Sequence, residues 1–133
     1  MVGKIIEFTT VSEDDGSLTF FEQSREIPFI IKRCFYVYDV PAEKQRADHA
    51  STTTDFVLIA INGGVKVELD DGVKKVCYSL TNRVQGLLVP KDTWMKVGNF
   101  TKGAILLVLA STEYKEGNYI KKYSEFKDHI GKK

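Results

Sequence analysis

Nine short runs rich in valine, isoleucine, phenylalanine and tyrosine follow one another along this chain, with turn residues between them. Such runs favour strands because β-branched and aromatic side chains fit a pleated, half-buried surface. Asp15-Gly16 and Asp71-Gly72 are typical hairpin turns, since glycine tolerates positive φ. Many short strands with regular turns predict an all-β sandwich or barrel. The predicted strands are 4–8, 17–23, 29–40, 55–61, 65–69, 74–80, 86–89, 94–100 and 103–110.

The tail differs from the rest of the chain. Ile120, Tyr123, Phe126 and Ile130 recur at helical spacing, which predicts a short C-terminal helix over about 118–130. His129 lies in the polar part of this tail, where we expect it to be solvated.

Length and charge narrow the class of protein. A chain of 133 residues that is 43% hydrophobic suits one domain, 1–133, with a core of its own. A net charge of +1 gives no indication that the chain binds nucleic acid or a membrane surface. The longest apolar runs, such as 104–110, are too short to span a bilayer. The first seven residues do not resemble a signal peptide, because Glu7 interrupts the apolar run. We therefore expect a cytoplasmic protein, in which Cys34 and Cys77 are buried free thiols rather than a disulfide.

The polar stretch 46–55 is the first candidate for a functional site. It opens directly into the apolar run 56–61, so the two together predict one strand. Side chains at i and i+2 share a face of a strand, and polar groups on a core face are costly unless they are paired or used. On this strand one face carries His49, Ser51, Thr53 and Asp55, continued by Val57, Ile59 and Ile61.

The strand 29–40 is apolar on both faces. Its alternation places Ile31, Arg33, Phe35 and Val37 on one side and Ile30, Cys34, Tyr36 and Tyr38 on the other. One side faces the barrel interior, and the other needs cover from a second sheet or a second subunit. A homodimer follows as a hypothesis.

Two spaced groups of residues resemble the paired motifs of cupins, which are double-stranded β-helix barrels. The groups are His49-x-Ser51-x3-Asp55 with Gly63, and Pro90-x-Asp92-x2-Met95-x3-Asn99. Cupins commonly bind a divalent metal through three histidines and a glutamate. Here a hydroxyl and a thioether stand at two of the four ligand places, and both are poor ligands for iron, manganese or zinc. We therefore expect no bound metal, and a metal-dependent cupin oxygenase or isomerase remains the least favoured alternative.

The whole chain resembles one cupin family more closely, the WxcM-like dTDP-4-keto-6-deoxyglucose 3,4-ketoisomerases of bacterial surface-polysaccharide (lipopolysaccharide, O-antigen) sugar synthesis. The order and spacing of the matching segments carry the resemblance. These segments are Asp15-Gly16-Ser17-Leu18, Ile27-Pro28-Phe29, Ile31-Lys32-Arg33, Arg46-x2-His49-Ala50, Asn62-Gly63, Leu69-Asp70-Asp71-Gly72, Gly86-Leu87 with Trp94, and Tyr114-x4-Tyr119-Ile120-x2-Tyr123-x2-Phe126.

The resemblance implies an enzyme that moves a ketone from C4 to C3 of a dTDP-linked hexose through an enediol, without a redox cofactor. His49 matches the first histidine of the family motif Arg-x2-His-Ala-His and would shuttle the proton, as imidazole can near neutral pH. Ser51 replaces the second histidine and would relay through its hydroxyl, while Asp55 would set the His49 tautomer. Met95 and Asp15 depart from a histidine and an arginine that are common in the family.

Four further residues are candidates for substrate binding. A guanidinium offers paired donors at phosphate-oxygen spacing, so Arg33 and Arg46 are expected on the diphosphate. A structural salt bridge is the alternative for Arg33, and a solvated loop residue is the alternative for Arg46. Trp94 would line the sugar pocket or pack in the core. Tyr36 would donate to a sugar oxygen or lie in a subunit interface.

The half-lost histidine motif leaves a second interpretation open. The chain would then be a non-catalytic cupin that binds a sugar nucleotide or partners an active paralogue. His49 would in that case be a hydrogen-bonded core residue or a binding residue only.

Overall fold

The computed structural model describes residues 2–132, so the two end positions of the predicted domain, Met1 and Lys133, lie outside the described residues. Its strands in chain order are β1 (Lys4–Glu7), β2 (Thr9–Glu13), β3 (Gly16–Phe20), β4 (Arg33–Tyr38), β5 (Arg46–Ser51), β6 (Phe56–Asn62), β7 (Val65–Asp70), β8 (Lys75–Leu80), β9 (Gln85–Val89), β10 (Trp94–Gly98), β11 (Ile105–Ala110) and β12 (Tyr119–Ile120). A 3-10 turn (Glu116–Asn118) and one helix, α1 (Tyr123–Gly131), complete them.

Two five-stranded antiparallel sheets form the body of the molecule. Their strand orders are β1-β9-β6-β11-β4 and β12-β5-β10-β7-β8, and β2 and β3 form a separate hairpin. The main core lies between the sheets, where Leu58 and Val108 of the first sheet pack in one cluster with Leu69 and Val97 of the second. Apolar burial between two facing sheets is the dominant stabilising term in such an architecture. The predicted all-β fold with a short C-terminal helix is confirmed.

The outer face of each sheet is covered in part. On the first sheet, Val57 and Ile59 pack against Ile27, which comes from the segment between β3 and β4. On the second sheet, Trp94 packs against Phe126 of α1. Three apolar layers therefore fix the two sheets, and side chains that alternate along β6 are buried on both sides.

The structure corrects the prediction that 46–61 is one strand. β5 ends at Ser51, and β6 begins at Phe56 in the opposite sheet. The chain turns because the Ser51 hydroxyl oxygen accepts hydrogen bonds from the backbone N–H groups of Thr53 and Thr54, at 3.3 and 3.0 Å. As a result Val57 and Ile59 do not continue the face of His49, since they point to the outer layer.

The predicted strand 29–40 is shorter than expected, because regular pairing begins at Arg33. The Gln23 side chain accepts a hydrogen bond from the Ile31 N–H at 3.1 Å and holds this residue off the strand. Ile31 consequently packs in the outer layer, whereas Phe35 faces the space between the sheets.

The helix begins five residues later than predicted. Tyr119 and Ile120 pair instead with Ser51 and Ala50 as β12, which covers the open edge of β5. The spacing of Ile120 therefore placed it wrongly in the helix, because an edge strand of two residues is too short to show the periodicity of a strand.

Two smaller expectations need correction. Cys34 and Cys77 are free but exposed rather than buried, since each points away from the core on its strand. His129 is not fully solvated, because its Nε2 lies 2.8 Å from Asp92 Oδ1 and its side chain is 34% exposed. Within residues 2–132, no helix is long and apolar enough to cross a membrane.

Candidate active site

A cavity of about 140 Å³ opens between the two sheets at the end where β5 and β12 meet. Its wall is mostly apolar, with side chains such as Leu58, Met95 and Val108, and His49 projects into it. A wider depression of about 460 Å³ forms the mouth and shares Phe35, Arg46, His49 and Tyr119 with the cavity. The arrangement is that of a small-molecule site, with an apolar wall and a few convergent polar groups.

The mouth is strongly cationic. Arg33, Arg46 and Lys121 line it, and no Asp or Glu of residues 2–132 is among its lining side chains. Lys121 has a carboxylate neighbour outside the mouth, Glu116, at 3.6 Å on the exposed surface. A concave, positively charged entrance favours an anionic ligand such as a diphosphate.

Arg33 is held by aromatic side chains rather than by a carboxylate. Its Nη2 donates to the Tyr119 hydroxyl oxygen at 3.1 Å, and its guanidinium lies 5.5 Å from the ring centre of Tyr114 and 5.6 Å from that of Phe35. Its Nε is buried without a hydrogen-bond partner among the described residues, and no carboxylate of residues 2–132 forms a salt bridge with it. These contacts orient a cation and leave part of its donor capacity unused.

His49 is the titratable group nearest the cavity centre. The edge of its ring contacts Tyr119, with ring centres 4.7 Å apart, and its Nδ1 is buried without a partner among the described residues. Burial lowers the pKa of His49 below its ordinary value of 6.5, and the positive charge of Lys121 acts in the same direction. The backbone carbonyl of His49 itself and the carboxylate of Asp48 oppose this lowering. The imidazole is therefore neutral at neutral pH and able to accept a proton.

A β-bulge aims β5 into the cavity. His49 pairs with Met95, but the next residue of β10, Lys96, pairs with Ala47, so Asp48 has no partner in the ladder. Ala47 and Asp48 both adopt left-handed backbone conformations, with φ of 67° and 65°. Bulges of this kind re-aim side chains beside functional sites.

Ser51 and Asp55 do not line the cavity or its mouth. Ser51 is 3% exposed, and its hydroxyl closes the turn after β5. One carboxylate oxygen of Asp55 accepts a hydrogen bond from the Lys91 N–H at 2.8 Å, which ties β6 to the turn before β10. Ser51 ends the strand that carries His49, but its hydroxyl is engaged by the turn, and Asp55 lies beyond that turn. The geometry assumed for their proton-relay and tautomer-setting roles is therefore absent.

Trp94 and Tyr36 also point away from the cavity. Trp94 follows the alternation of β10, so its neighbour Met95 faces the cavity while Trp94 packs under α1. Tyr36 lies on the outer side of β4, is 62% exposed, and contacts Tyr38 at a ring separation of 5.7 Å. Of the predicted site residues, the structure brings together His49, Arg33 and Arg46.

Three further residues line the mouth that were not predicted from the sequence, namely Tyr114, Tyr119 and Lys121. All three follow β11, in the segment that leads to and from the short edge strand β12. The segment Tyr114-x4-Tyr119 was noticed only as part of the resemblance, and nothing in its spacing indicates that it returns to the edge of β5.

The donor set around His49 does not fit a resident cupin metal. Met95 supplies only a thioether beside His49, and the carboxylate of Asp55 is directed to the backbone of Lys91. Among residues 2–132, no group of three or more His, Cys, Asp or Glu side chains is placed to hold a metal ion.

Comparison with known proteins assigns the chain to a family. Residues 1–131 match the family model described as FdtA, WxcM-like, C-terminal. The chain is 36% identical over 132 residues to the TDP-4-oxo-6-deoxy-alpha-D-glucose-3,4-oxoisomerase of Aneurinibacillus thermoaerophilus, covering 99% of this chain and 95% of that protein.

Solved structures of similar proteins superpose over nearly the whole chain. A 3,4-ketoisomerase from Helicobacter canadensis shares 38% identity with a TM-score of 0.95, and the match covers 98% of both chains. A histidine-to-asparagine variant of a 3,4-ketoisomerase from Thermoanaerobacterium thermosaccharolyticum, in complex with TDP-4-keto-6-deoxyglucose, shares 33% identity with a TM-score of 0.95 and covers 98% and 95% of the two chains. Fold and family are thereby assigned over the full length described.

We predict that His49 makes the protein less stable as the pH falls. Its folded-state pKa lies below 6.5, so the unfolded chain binds a proton that the folded chain resists. The free energy of unfolding should therefore decrease as the pH falls through 6.5 toward the lower folded pKa. Urea unfolding of the wild type and of His49→Asn at several pH values measures this component, which should be missing from the variant. Parallel pH profiles for the two proteins would contradict the buried, neutral imidazole.

Proposed function

The chain belongs to the FdtA family (WxcM-like, C-terminal), and on that premise we propose that it is a sugar-nucleotide 3,4-ketoisomerase. The proposed substrate is a TDP-linked 4-keto-6-deoxyhexose, the class of compound named for its relatives. The observation that carries the proposal is a single neutral imidazole in an apolar cavity behind a mouth lined by three cations.

The reaction suits such a site. The C4 carbonyl acidifies the hydrogen on C3, a base removes that proton, and an enediol forms. The C4 oxygen takes up a proton as the enediol forms, and the C3 hydroxyl loses its proton when a proton returns to C4, so the ketone is left on C3 and no electrons leave the sugar. One base that lies beside both carbons is enough for the transfer from C3 to C4, while the second proton moves from the C3 hydroxyl to the C4 oxygen.

His49 is the proposed base. Its lowered pKa keeps the ring unprotonated at neutral pH, and the apolar wall excludes the water that would otherwise compete for the proton. The T-shaped contact with Tyr119, with ring centres 4.7 Å apart, restrains the imidazole. A base that is unprotonated at the working pH can accept the proton directly.

Arg33 and Arg46 are the proposed diphosphate ligands. Both line the mouth on the way to His49, and neither is neutralised there by a described carboxylate. The hydrogen bond from Arg33 to the Tyr119 hydroxyl holds the guanidinium in one orientation before the nucleotide binds. Lys121 adds a third charge of the same sign.

Ser51 and Asp55 are proposed to support the site as framework residues. Their hydrogen bonds hold the chain where it crosses from β5 to β6, which places the Arg46–His49 segment against the cavity. Proton transfer itself is assigned to His49.

We predict that His49→Asn lowers the ketoisomerase rate by about 10²- to 10⁴-fold, because it removes the general base and keeps the size of the side chain. The measurement is uptake of deuterium at C3 or C4 of a TDP-4-keto-6-deoxyhexose in deuterated buffer. His129→Asn is the matched control, since the chain has two histidines and His129 is bound to Asp92 outside the cavity. That variant should exchange as the wild type does.

The same assay separates the two functional interpretations. A wild type that is stabilised thermally by TDP but exchanges no deuterium would support the non-catalytic, nucleotide-binding alternative, which the replacement of the second motif histidine by Ser51 motivates. A wild type that neither exchanges nor responds to TDP would contradict both.

We predict that Arg46→Gln weakens the affinity for TDP by about 10- to 100-fold, the factor expected for a lost charge-assisted hydrogen bond. Titration calorimetry with TDP measures it. Arg25→Gln is the matched control, because Arg25 is an exposed arginine on the surface segment before β4, with a side chain 75% exposed. Equal losses in the two variants would indicate general electrostatics rather than a built contact.

A homodimer is proposed through the outer face of β4. This strand lies at the edge of its sheet, and Tyr36, Tyr38 and Ile30 are 62%, 58% and 55% exposed there. Exposed aromatic side chains beside an open strand edge are typical of an interface.

We predict that the wild type sediments as a dimer and that Tyr36→Asp shifts it toward monomer, because a carboxylate in an apolar interface is costly. Sedimentation velocity over a concentration series measures this. Val73→Asp, at a hairpin position that is 92% exposed, is the control and should leave the dimer intact. A wild type that is monomeric at all concentrations would overturn the dimer.

A cytoplasmic location is also proposed. It is supported by the two exposed thiols, Cys34 and Cys77, which remain free in the folded chain and suit a reducing compartment.

A further inference from the structure

Arg46 and His49 lie on the same side of β5 although they are three positions apart in the sequence. In a regular strand, side chains at i and i+3 point to opposite faces of the sheet. Both nevertheless line the cavity. The extra residue Asp48, which has no partner on β10, shifts the alternation by one position and brings the two side chains to one face. The proposed site therefore depends on this bulge.

The backbone conformation of the bulge is unfavourable for the residues that adopt it. Ala47 and Asp48 are consecutive non-glycine residues with φ of 67° and 65°. Alanine in particular adopts this region reluctantly, and conformations of this kind persist only where the surroundings impose them.

A side-chain contact on the outer face supplies that support. Asp48 Oδ1 accepts a hydrogen bond from Trp94 Nε1 at 3.1 Å. Trp94 is 8% exposed, and its ring lies 5.4 Å from that of Tyr123 in a T-shaped contact and 5.7 Å from that of Phe126 in a tilted one. Because both aromatic neighbours belong to α1, the donor that holds Asp48 is itself fixed by the C-terminal helix.

Other charged groups near Asp48 do not replace this contact. Lys96, Lys121 and Lys75 line the same outer groove, yet none forms a salt bridge with Asp48 among the described residues. Lys75 and Lys96 are directed to Glu68, at 3.3 and 4.0 Å, and Lys121 to Glu116.

We propose that Asp48 and Trp94 are positioning residues, whose hydrogen bond maintains the bulge that holds His49 and Arg46 on the cavity side of β5. The predicted effect on turnover rests on the proposed function. The predicted effect on the position of the His49 ring is independent of it. Trp94 then acts on the site through the backbone from the opposite face of the sheet, and not as a wall of the sugar pocket.

The test compares Trp94→Phe with Tyr123→Phe. The first removes the indole N–H and keeps an aromatic ring, so kcat should fall about tenfold, the rate equivalent of one lost hydrogen bond. KM should rise as well, because the bulge also places Arg46, the proposed diphosphate ligand. The second removes the hydroxyl that donates to Asp70 at 2.6 Å in the same aromatic cluster and should leave kcat unchanged.

Two substitutions of Asp48 complete the series. Asp48→Asn keeps an oxygen that accepts from Trp94 and tolerates positive φ, so it should retain most of the wild-type kcat. Asp48→Ala loses both properties, so its kcat should fall at least as far as that of Trp94→Phe. The double variant Asp48→Ala/Trp94→Phe should be no worse than the poorer single variant, because both substitutions break one contact.

A readout without substrate separates this inference from the proposed function. The chain has two histidines, so ¹H–¹⁵N spectra of the imidazole rings identify His49 directly by comparison with His49→Asn. The His49 signals should shift in Trp94→Phe and Asp48→Ala and stay in place in Tyr123→Phe and Asp48→Asn. This holds even if the wild type shows no ketoisomerase activity.

Three results would overturn the inference. Unchanged kcat and unchanged His49 signals in folded Trp94→Phe would show that the bulge does not need the contact. Equal losses in Trp94→Phe and Tyr123→Phe would assign the effect to aromatic packing. Multiplicative losses in the double variant would show that the two residues act separately.

Discussion

Strict alternation of side chains along hydrogen-bonded strands is the constraint on which this molecule depends. It places Leu58, Val97 and Val108 between the two sheets and leaves the outer faces to be covered by other segments. The same rule would separate Arg46 from His49. The candidate site exists where the rule is interrupted at Asp48 and where the chain leaves one sheet for the other after Ser51.

The second physical feature is uncompensated positive charge at the mouth of an apolar cavity. Arg33 is surrounded by aromatic rings and bonded to a hydroxyl group, so its orientation is fixed without neutralising its charge. A mouth built in this way costs the folded protein some stability, because like charges lie close together. The cost is offset when an anion binds, which gives a nucleotide diphosphate affinity and guides the sugar inward toward His49.

Much of the architecture could be predicted from the sequence because its signals are local. Strands such as β7 and β11 follow from short β-rich runs, and the β2–β3 hairpin turns near the predicted Asp15-Gly16. The errors arose where long-range contacts decide. β5 and β6 were predicted as one strand because the turn after Ser51 depends on side-chain hydrogen bonds, and β12 is two residues long and pairs only with the edge of β5.

The site was predictable to a similar extent. His49, Arg33 and Arg46 were found because their residue types and spacing are unusual for a β-barrel wall. Asp55 was placed on the face of His49 because alternation was carried through a turn after Ser51 that the residue pattern does not indicate. Trp94 was left between the sugar pocket and the core, and it packs under α1. Tyr119 was missed because its contact with His49 joins segments that are far apart in the chain.

The central claim is that the cavity beside His49 receives the sugar while Arg33 and Arg46 hold the diphosphate. A crystal structure of the protein with TDP-4-keto-6-deoxyglucose tests it most directly. The account predicts the diphosphate within hydrogen-bond distance of Arg33 and Arg46, and C3 and C4 of the sugar in contact with the His49 imidazole. A sugar ring bound outside the cavity, or a nucleotide that contacts neither guanidinium, would contradict it.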